Sequence, residues 1–406
     1  MIGEKKLDWM INKKIAIVGG GIIGLALGYK LVKKYPNSQI TIFEKESSFG
    51  LHQSGRNSGV LHCGLHYNPG SLKAKLAVDG IRQMVNFCKN EKVDHDICGK
   101  IVVATNENQI KYLDNLANRG KKNGIKNLKY LNSGELKKRE PFVKSIKTLL
   151  VSEEGIVDYK MVMKKLANKI LENNGEIKFS TKIEKAQNLA DKVILKSKNN
   201  EWSYDLIFSC GGLYSDRNYE KFTLKKRPLR IIPFRGEYLK LKNEASNLVN
   251  HLIYPVPDPI YPFLGIHFTR LISGEREVGP NAVFAFKREG YKNTDFSVSD
   301  IMDSVFYKGF LKFATKNFKF CMNEFVGSVL MSEFVNKAKK LVPDIDSSMF
   351  VKGTAGVRAQ AMNDSGELLM DFNIFREKNQ IHVLNAPSPG ATASLAIADY
   401  IIKKYI

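Results

Sequence analysis

The chain has 406 residues, 43% hydrophobic and 26% charged, with 13 prolines and no low-complexity tract. That excludes a disordered, collagen-like or disulfide-scaffold protein, and the length points to two domains, each able to bury a core. The formal net charge of +22 favours anionic partners, an acidic membrane surface or a dianionic small molecule among them, but lysine pairs such as Lys33-Lys34, Lys137-Lys138 and Lys225-Lys226 are scattered. They predict a solvated surface, and the lack of a basic stripe interleaved with aromatics argues against nucleic acid.

The opening MIGEKKLDWMINKK has no apolar h-region, so no secretory leader is read there. Five cysteines (Cys63, Cys88, Cys98, Cys210, Cys321) form no CxxC pair. Their odd number predicts free thiols, a reducing compartment and no zinc site. The apolar run Ile15 to Val32 approaches membrane-spanning length, but its glycines suit a strand, turn and helix better than a bilayer span.

Lys14 to Val18 (KIAIV) reads as a buried parallel strand. Gly19-Gly20-Gly21-Ile22-Ile23-Gly24 and a helical pattern follow, then a second strand, Gln39 to Phe43, ending in Glu44. This is the whole dinucleotide fingerprint: strand, GxGxxG, helix, strand, acid. Gly19 permits the tight turn. Gly21 lets the backbone approach a pyrophosphate, and Gly24 lets helix and strand pack closely. The helix N-terminus offers N–H groups and partial positive charge to the phosphates. Glu44 can accept hydrogen bonds from ribose hydroxyls and would repel a 2′-phosphate. FAD or NAD is expected, and NADP is not.

The next segment, Lys45 to His62, is a polar loop rather than another plain βα unit. Its Lys45, Gln53, Ser54, Asn57, Ser58 and Gly59 could wrap a long cofactor, which favours FAD. Asp205 to Ser209 reads as a strand running into Cys210 and Gly211, small enough for backbone to pass beneath a nucleotide. Near the C-terminus, strand residues His382 to Asn385 lead through Pro389, Gly390, Ala391 and Thr392 into a last helix. That helix N-terminus could stabilise negative charge on a reduced flavin ring. Arg230 to Leu241 and Asn281 to Lys287 read as strands. Ser297 to Val342 reads as helices whose Met and Phe stripe is expected in the core.

The segment HQSGRNSGVLHCGLHYNPGSLKA (His52 to Ala74) resembles the L-2-hydroxyglutarate oxidase and dehydrogenase family, within the D-amino-acid-oxidase superfamily of flavoenzymes. So do PFRGEYLKL (Pro233 to Leu241), YPVPDPIYPFLGIHFTR (Tyr254 to Arg270), GPNAVFAFKREGY (Gly279 to Tyr291), GVRAQAMN (Gly356 to Asn363) and LNAPSPGATASLAIA (Leu384 to Ala398). The blocks occur in order over nearly the whole chain. The chain departs from the family pattern at Arg56, usually His, and at His66, usually Tyr.

The resemblance implies an α/β plus α+β fold: a discontinuous Rossmann-type FAD-binding domain (1–90, 148–218 and 345–406) and an antiparallel-sheet substrate domain (91–147 and 219–344). It implies oxidation of a 2-hydroxy acid, L-2-hydroxyglutarate to 2-oxoglutarate, by hydride transfer from C2 to flavin N5. Quinone or oxygen would reoxidise the flavin. Histidine suits proton acceptance near neutral pH, and His62 and His267 are equal candidates, with His52 behind them. Arg235, Arg270 and Arg358 could clamp carboxylates, Arg56 could contribute a second cation, and Tyr238 and Tyr254 could donate hydroxyls. Lys73 reads as a flavin-side or helix-start residue. Flavin attachment through Cys63 or His52 is not favoured. A flavin amine oxidase and a non-catalytic FAD-binding sensor are the rival readings. A cytoplasmic protein, docked peripherally on the inner face of the membrane when quinone is the acceptor, is expected.

Overall fold

The computed structural model describes residues 12–257 and 264–406. Residues 1–11, where no leader is read, and 258–263, in the middle of the Tyr254–Arg270 block, lie outside the described residues. The expected α/β plus α+β class holds. Lys14–Val18 sits inside a six-stranded sheet ordered Asn373–Glu377, Gln380–Asn385, Leu206–Ser209, Lys14–Val18, Gln39–Phe43, Glu176–Lys178. All neighbours are parallel except the edge hairpin of Asn373–Glu377 and Gln380–Asn385. Successive strand side chains take opposite faces. Ile15 and Ile17 join the core built with helices Ile22–Lys34, Tyr159–Glu172 and Ser394–Tyr405. Ala16 and Val18 join Phe43, Ile207 and Phe222 beside a three-stranded meander of Lys185–Asn188, Val193–Lys196 and Glu201–Tyr204. A strand covered on both faces must be apolar throughout, as KIAIV is.

The second sheet has nine strands. Arg230–Leu241 pairs antiparallel along Phe350–Met362, with Arg230 opposite Met362 and Leu241 opposite Phe350. From there the sheet continues through Arg276–Gly279, His267–Arg270, Leu252–Pro255, Lys100–Ala104, Lys147–Val151 and Leu128–Leu131. One neighbouring pair, Leu252–Pro255 with Lys100–Ala104, is parallel. The sheet's second core holds Ile101, Val103, Phe268, Val278 and, from helix Met331–Lys339, Phe334 and Val335.

Three expectations need correction. Residues 148–151 of strand Lys147–Val151, and all of Phe350–Met362, expected in the flavin body, pair into the second sheet. Backbone pairing joins residues far apart in the chain, and block boundaries do not register it. Of the run Asn281 to Lys287, only Val283–Phe284 is strand. The Met and Phe stripe is only partly core: Tyr307 and Phe313 are buried, but Met302, Phe306, Phe318 and Phe325 are exposed.

A charge cluster ties the segments around the flavin body's edge. Arg288 is 1% exposed, and its Nη2 donates to Asp216 Oδ2 at 3.0 Å and to Asp303 Oδ2 at 2.9 Å. Arg217, Arg227 and Arg230 also donate to Asp303. Three buried or half-buried carboxylates, counting Asp300, face four guanidiniums. Buried charges tolerate this only when each is paired.

Candidate active site

The Gly19–Gly24 turn carries the nucleotide end. Gly19 takes φ +113°, and a Cβ there would lie 2.4 Å from the Cys210 carbonyl oxygen. A Cβ on Gly24 would lie 2.0 Å from the Gly19 oxygen. The turn is therefore closed to side chains, and backbone lines the space above it. The Gly20 N–H donates to Glu44 Oε2 at 2.8 Å, and Ile22 N–H donates to Ser54 Oγ at 3.0 Å. Helix Ile22–Lys34 has no acid in its first turn. Its positive end faces a cavity of about 1160 Å³, larger than an ordinary small-ligand pocket and suited to a dinucleotide.

That cavity runs from Glu44 past Gln53, Ser54 and Pro389 to the second sheet, where His62, His66, Tyr238, Tyr254, His267, Arg358 and Gln360 line it. The His62 ring, through Nδ1, lies 3.3 Å from Glu154 Oε2. Lys100 Nζ, on the first strand of the second sheet to appear in the chain, lies 2.7 Å from the same oxygen. Glu154 is 1% exposed and Lys100 fully buried. Burial would raise the Glu154 carboxyl, but Lys100 and His62 together hold it well below the usual carboxylate range. Cys63 donates its N–H to Glu154 Oε1 at 3.3 Å, and burial pushes its thiol well up.

His267 is stacked on Tyr254, with ring centroids 3.9 Å apart. Its Nδ1 lies 2.9 Å from the Gly265 oxygen, so Nδ1 carries the proton and Nε2 keeps a lone pair. Burial, opposed by that carbonyl, pulls the imidazole down to about 3. Both ring nitrogens of His66 are buried with no hydrogen-bond partner among the described residues. Burial, then the Lys100 charge, holds that ring well below the usual histidine value. Lys73 lies over the Tyr67 ring at 4.5 Å, and burial pulls its ammonium down to about 8 against the raising effect of Asp371.

The cavity brings most of the sequence-derived candidates together. Gly19, Gly21, Gly24, Glu44, Lys45, Gln53, Ser54, Asn57, Ser58, Cys210, Gly211, Pro389, Gly390, Ala391 and Thr392 line it. So do His62, His267, Tyr238, Tyr254, Arg358, Arg56, His52 and Lys73. Gly59 is not among the lining residues; its oxygen accepts the Val157 N–H at 2.8 Å and starts a strand pair. Arg235 and Arg270 are also absent from the lining, for a reason of strand period. Gly236 and Tyr238 face the cavity, so Arg235 faces away, where it pairs with Glu237 at 3.0 Å and donates to the Lys292 oxygen. His267 faces the cavity, so Arg270 turns away to Asp96.

Three of these lining residues also tie the Lys45–Arg56 segment to Glu289 and Tyr291. Lys45 Nζ pairs with Glu289 at 2.5 Å. His52 bonds Tyr291 at 2.6 Å and Glu46 at 3.0 Å, and Arg56 lies over the Tyr291 ring at 3.9 Å. Sequence reading missed Glu154, Lys100, Tyr67 and Gln360. Two of them had a signal: Tyr67 lies inside the His52–Ala74 block, and Gln360 sits two residues from Arg358 on the same strand face.

The turn that excludes side chains, the unopposed helix end and the buried polar groups at the far wall fit a flavin adenine dinucleotide. Residues 14–404 match the family described as DAO, FAD dependent oxidoreductase. The L-2-hydroxyglutarate dehydrogenase of Indibacter alkaliphilus is 44% identical, over 95% of this chain and 96% of that protein. The human mitochondrial L-2-hydroxyglutarate dehydrogenase is 40% identical, over 95% of this chain and 87% of that protein. Among solved structures, the dithionite-reduced L-alpha-glycerophosphate oxidase of Mycoplasma pneumoniae with FAD bound aligns at a TM-score of 0.76 and 22% identity, covering 96% of this chain and 94% of that one. Glycine oxidase from Geobacillus kaustophilus aligns at 0.72 and 17% identity, covering 97% and 96%. The last two likenesses concern the fold. The chain belongs to the DAO family of FAD-dependent oxidoreductases and, within it, groups with the L-2-hydroxyglutarate dehydrogenases.

Proposed function

We propose that this enzyme oxidises L-2-hydroxyglutarate to 2-oxoglutarate. The observation that carries the reading is end-to-end identity of 44% with a dehydrogenase of that name. FAD, when bound, would supply the hydride acceptor; Gly19, Gly21, Gly24 and Glu44 would hold it at one end and the Pro389–Thr392 turn at the other.

His62 is the proton acceptor in this reading. Its Nδ1–H donates to Glu154, which leaves Nε2 to take the substrate hydroxyl proton, and the carboxylate steadies the resulting imidazolium. His267, at about 3, gives up a proton far more readily than it takes one. Its Nε2 instead accepts a hydrogen bond and orients the hydroxyl. Arg358 binds the carboxylate beside C2, with Tyr238 and Tyr254 donating hydroxyls. Lys73 meets the distal carboxylate, whose charge would restore the ammonium's ordinary proton affinity. Oxygen or quinone takes the electrons, and with quinone the basic protein docks on the inner face of an anionic membrane. The two bodies are divided as in the sequence reading, except that residues 148–151 and Phe350–Met362 go with the substrate sheet.

The test is anaerobic. FAD-loaded protein is mixed with L- and D-2-hydroxy acids and amino acids, and flavin absorbance is followed. Bleaching by L-2-hydroxyglutarate alone is expected. Bleaching by an amino acid, with none by the hydroxy acid, would move the reading to amine oxidation.

A further inference from the structure

About half of the exposed large apolar side chains among the described residues fall between Phe286 and Met331, including every exposed phenylalanine. They follow helical spacing. Val298, Met302 and Phe306 are four residues apart along and just past helix Val298–Val305. Phe318, Met322 and Phe325 recur on one face of helix Phe318–Val329. Phe296, Phe306 and Phe318 are 69%, 71% and 64% exposed. Monomeric proteins rarely leave such a surface uncovered without a use for it.

The charges on the same stretch are one-sided. Its exposed charged side chains are Lys287, Lys292, Lys308, Lys312, Lys316 and Lys319. The acids there are occupied: Asp300 and Asp303 by arginines, Glu289 by Lys45, and Glu324 by Lys337. Asp295 accepts the Tyr291 and Lys292 N–H groups. Lys308 pairs with the exposed Asp364 at 2.8 Å, and the apolar rings set among the other five lysines suit the boundary between acyl chains and anionic headgroups. A second copy would face this surface with lysines against lysines. No helix among the described residues is long and apolar enough to cross a membrane, so the contact is interfacial.

We infer that helices Val298–Val305, Lys308–Lys316 and Phe318–Val329 and their flanking residues form a lipid-docking face, with Phe296, Phe306, Phe318 and Phe325 inserted among acyl chains and the lysines on anionic headgroups. The inference rests on the membrane reading above and gives it a place on the molecule. The same helices stand behind the substrate wall: Glu324 Oε2 accepts the Ala282 N–H at 2.8 Å, two residues from Pro280 in the cavity lining. An acceptor dissolved in the bilayer would meet the protein on that side.

The experiment is co-sedimentation of the FAD-loaded protein with vesicles of phosphatidylcholine, with and without phosphatidylglycerol. It uses the wild type, the triple variant Phe296→Ser/Phe306→Ser/Phe318→Ser and the triple variant Lys312→Glu/Lys316→Glu/Lys319→Glu. Wild type should bind the anionic vesicles, and each variant should bind at least about tenfold more weakly. Bleaching by soluble substrate should be unchanged in both, since none of the six side chains lines the cavity. Wild-type binding that both variants retain would overturn this face while leaving membrane docking in place. Wild type that leaves the vesicles unbound would overturn docking itself, and the bleaching test would still judge the substrate reading separately. Concentration-dependent dimerisation abolished by the serine variant, without vesicle binding, would replace lipid with a second copy.

Discussion

Replacing Glu154 by Gln removes the carboxylate behind His62 and leaves Lys100 as a fully buried cation facing an amide. Breaking one side of a buried pair costs about 3–5 kcal/mol, a large part of a typical total stability. A rate loss in Glu154→Gln alone could therefore be a folding loss. The double variant Lys100→Met/Glu154→Gln separates the two. It buries no net charge, and replacement of a whole buried pair is often close to neutral. Urea unfolding should return to within about 2 kcal/mol of wild type. Catalysis should not return, because Gln cannot steady an imidazolium. A loss of roughly 10²-fold in kcat/KM is expected, within the range of a general base. Anaerobic flavin reduction by L-2-hydroxyglutarate reads the rate. A double variant that folds and reduces its flavin at more than about a third of the wild-type rate would refute the role of Glu154 behind His62.

Other perturbations probe the cofactor cradle, the charge cluster and the buried imidazoles. Gly24→Ala would place a carbon 2.0 Å from the Gly19 carbonyl oxygen, so helix and turn must part; the purified protein should carry less than about a tenth of its flavin, read as absorbance per chain. Asp303→Asn leaves four arginines sharing fewer carboxylates; urea unfolding should show a loss of about 3–5 kcal/mol. His267 and His382 are held by burial at about 3 and about 4, below the ordinary value of 6.5. The unfolded chain then takes up protons that the folded one refuses. Stability should be full above pH 6.5 and should decline as pH falls below it, by about 1.4 kcal/mol per pH unit for each ring. A melting temperature that stays flat between pH 7.5 and 5.5 would contradict this.

The nucleotide end was legible because its chemistry is local. Strand, glycine turn, helix and acid lie within about thirty residues, and each residue type answers to one geometric need. The arginines were harder. Matching Pro233–Leu241 and Tyr254–Arg270 as blocks marked Arg235 and Arg270 together with Tyr238 and His267. Period-two alternation, applied within each strand, puts the arginines on the opposite face from those neighbours. The helical stripe at Met302, Phe306 and Phe318 looked like core because periodicity reports an apolar face, and says nothing about what covers it. Arg358 and Gln360, at even spacing on Phe350–Met362, were open to the same alternation argument. Only Arg358 was named from its block, because the strand's pairing partner had not been identified.

Lys100 and Glu154 were out of reach for another reason. They stand 54 residues apart, and neither belongs to a motif. What unites them is the register in which Lys100 pairs with Val151. The chain leaves the second sheet at Val151, turns through Ser152–Glu154 and re-enters the flavin side as Gly155–Val157, where Gly155 pairs with Leu61. That single crossing defeats a clean boundary at residue 148, and it is also what sets the carboxylate of Glu154 behind His62. The Glu154–Lys100 pair thus spans from the turn beside His62 to the substrate sheet. Loosening the contact between the two bodies should disorder the base before it empties the nucleotide cradle, which is built within the first sheet. A loosened variant should therefore keep its yellow colour while losing flavin reduction by substrate.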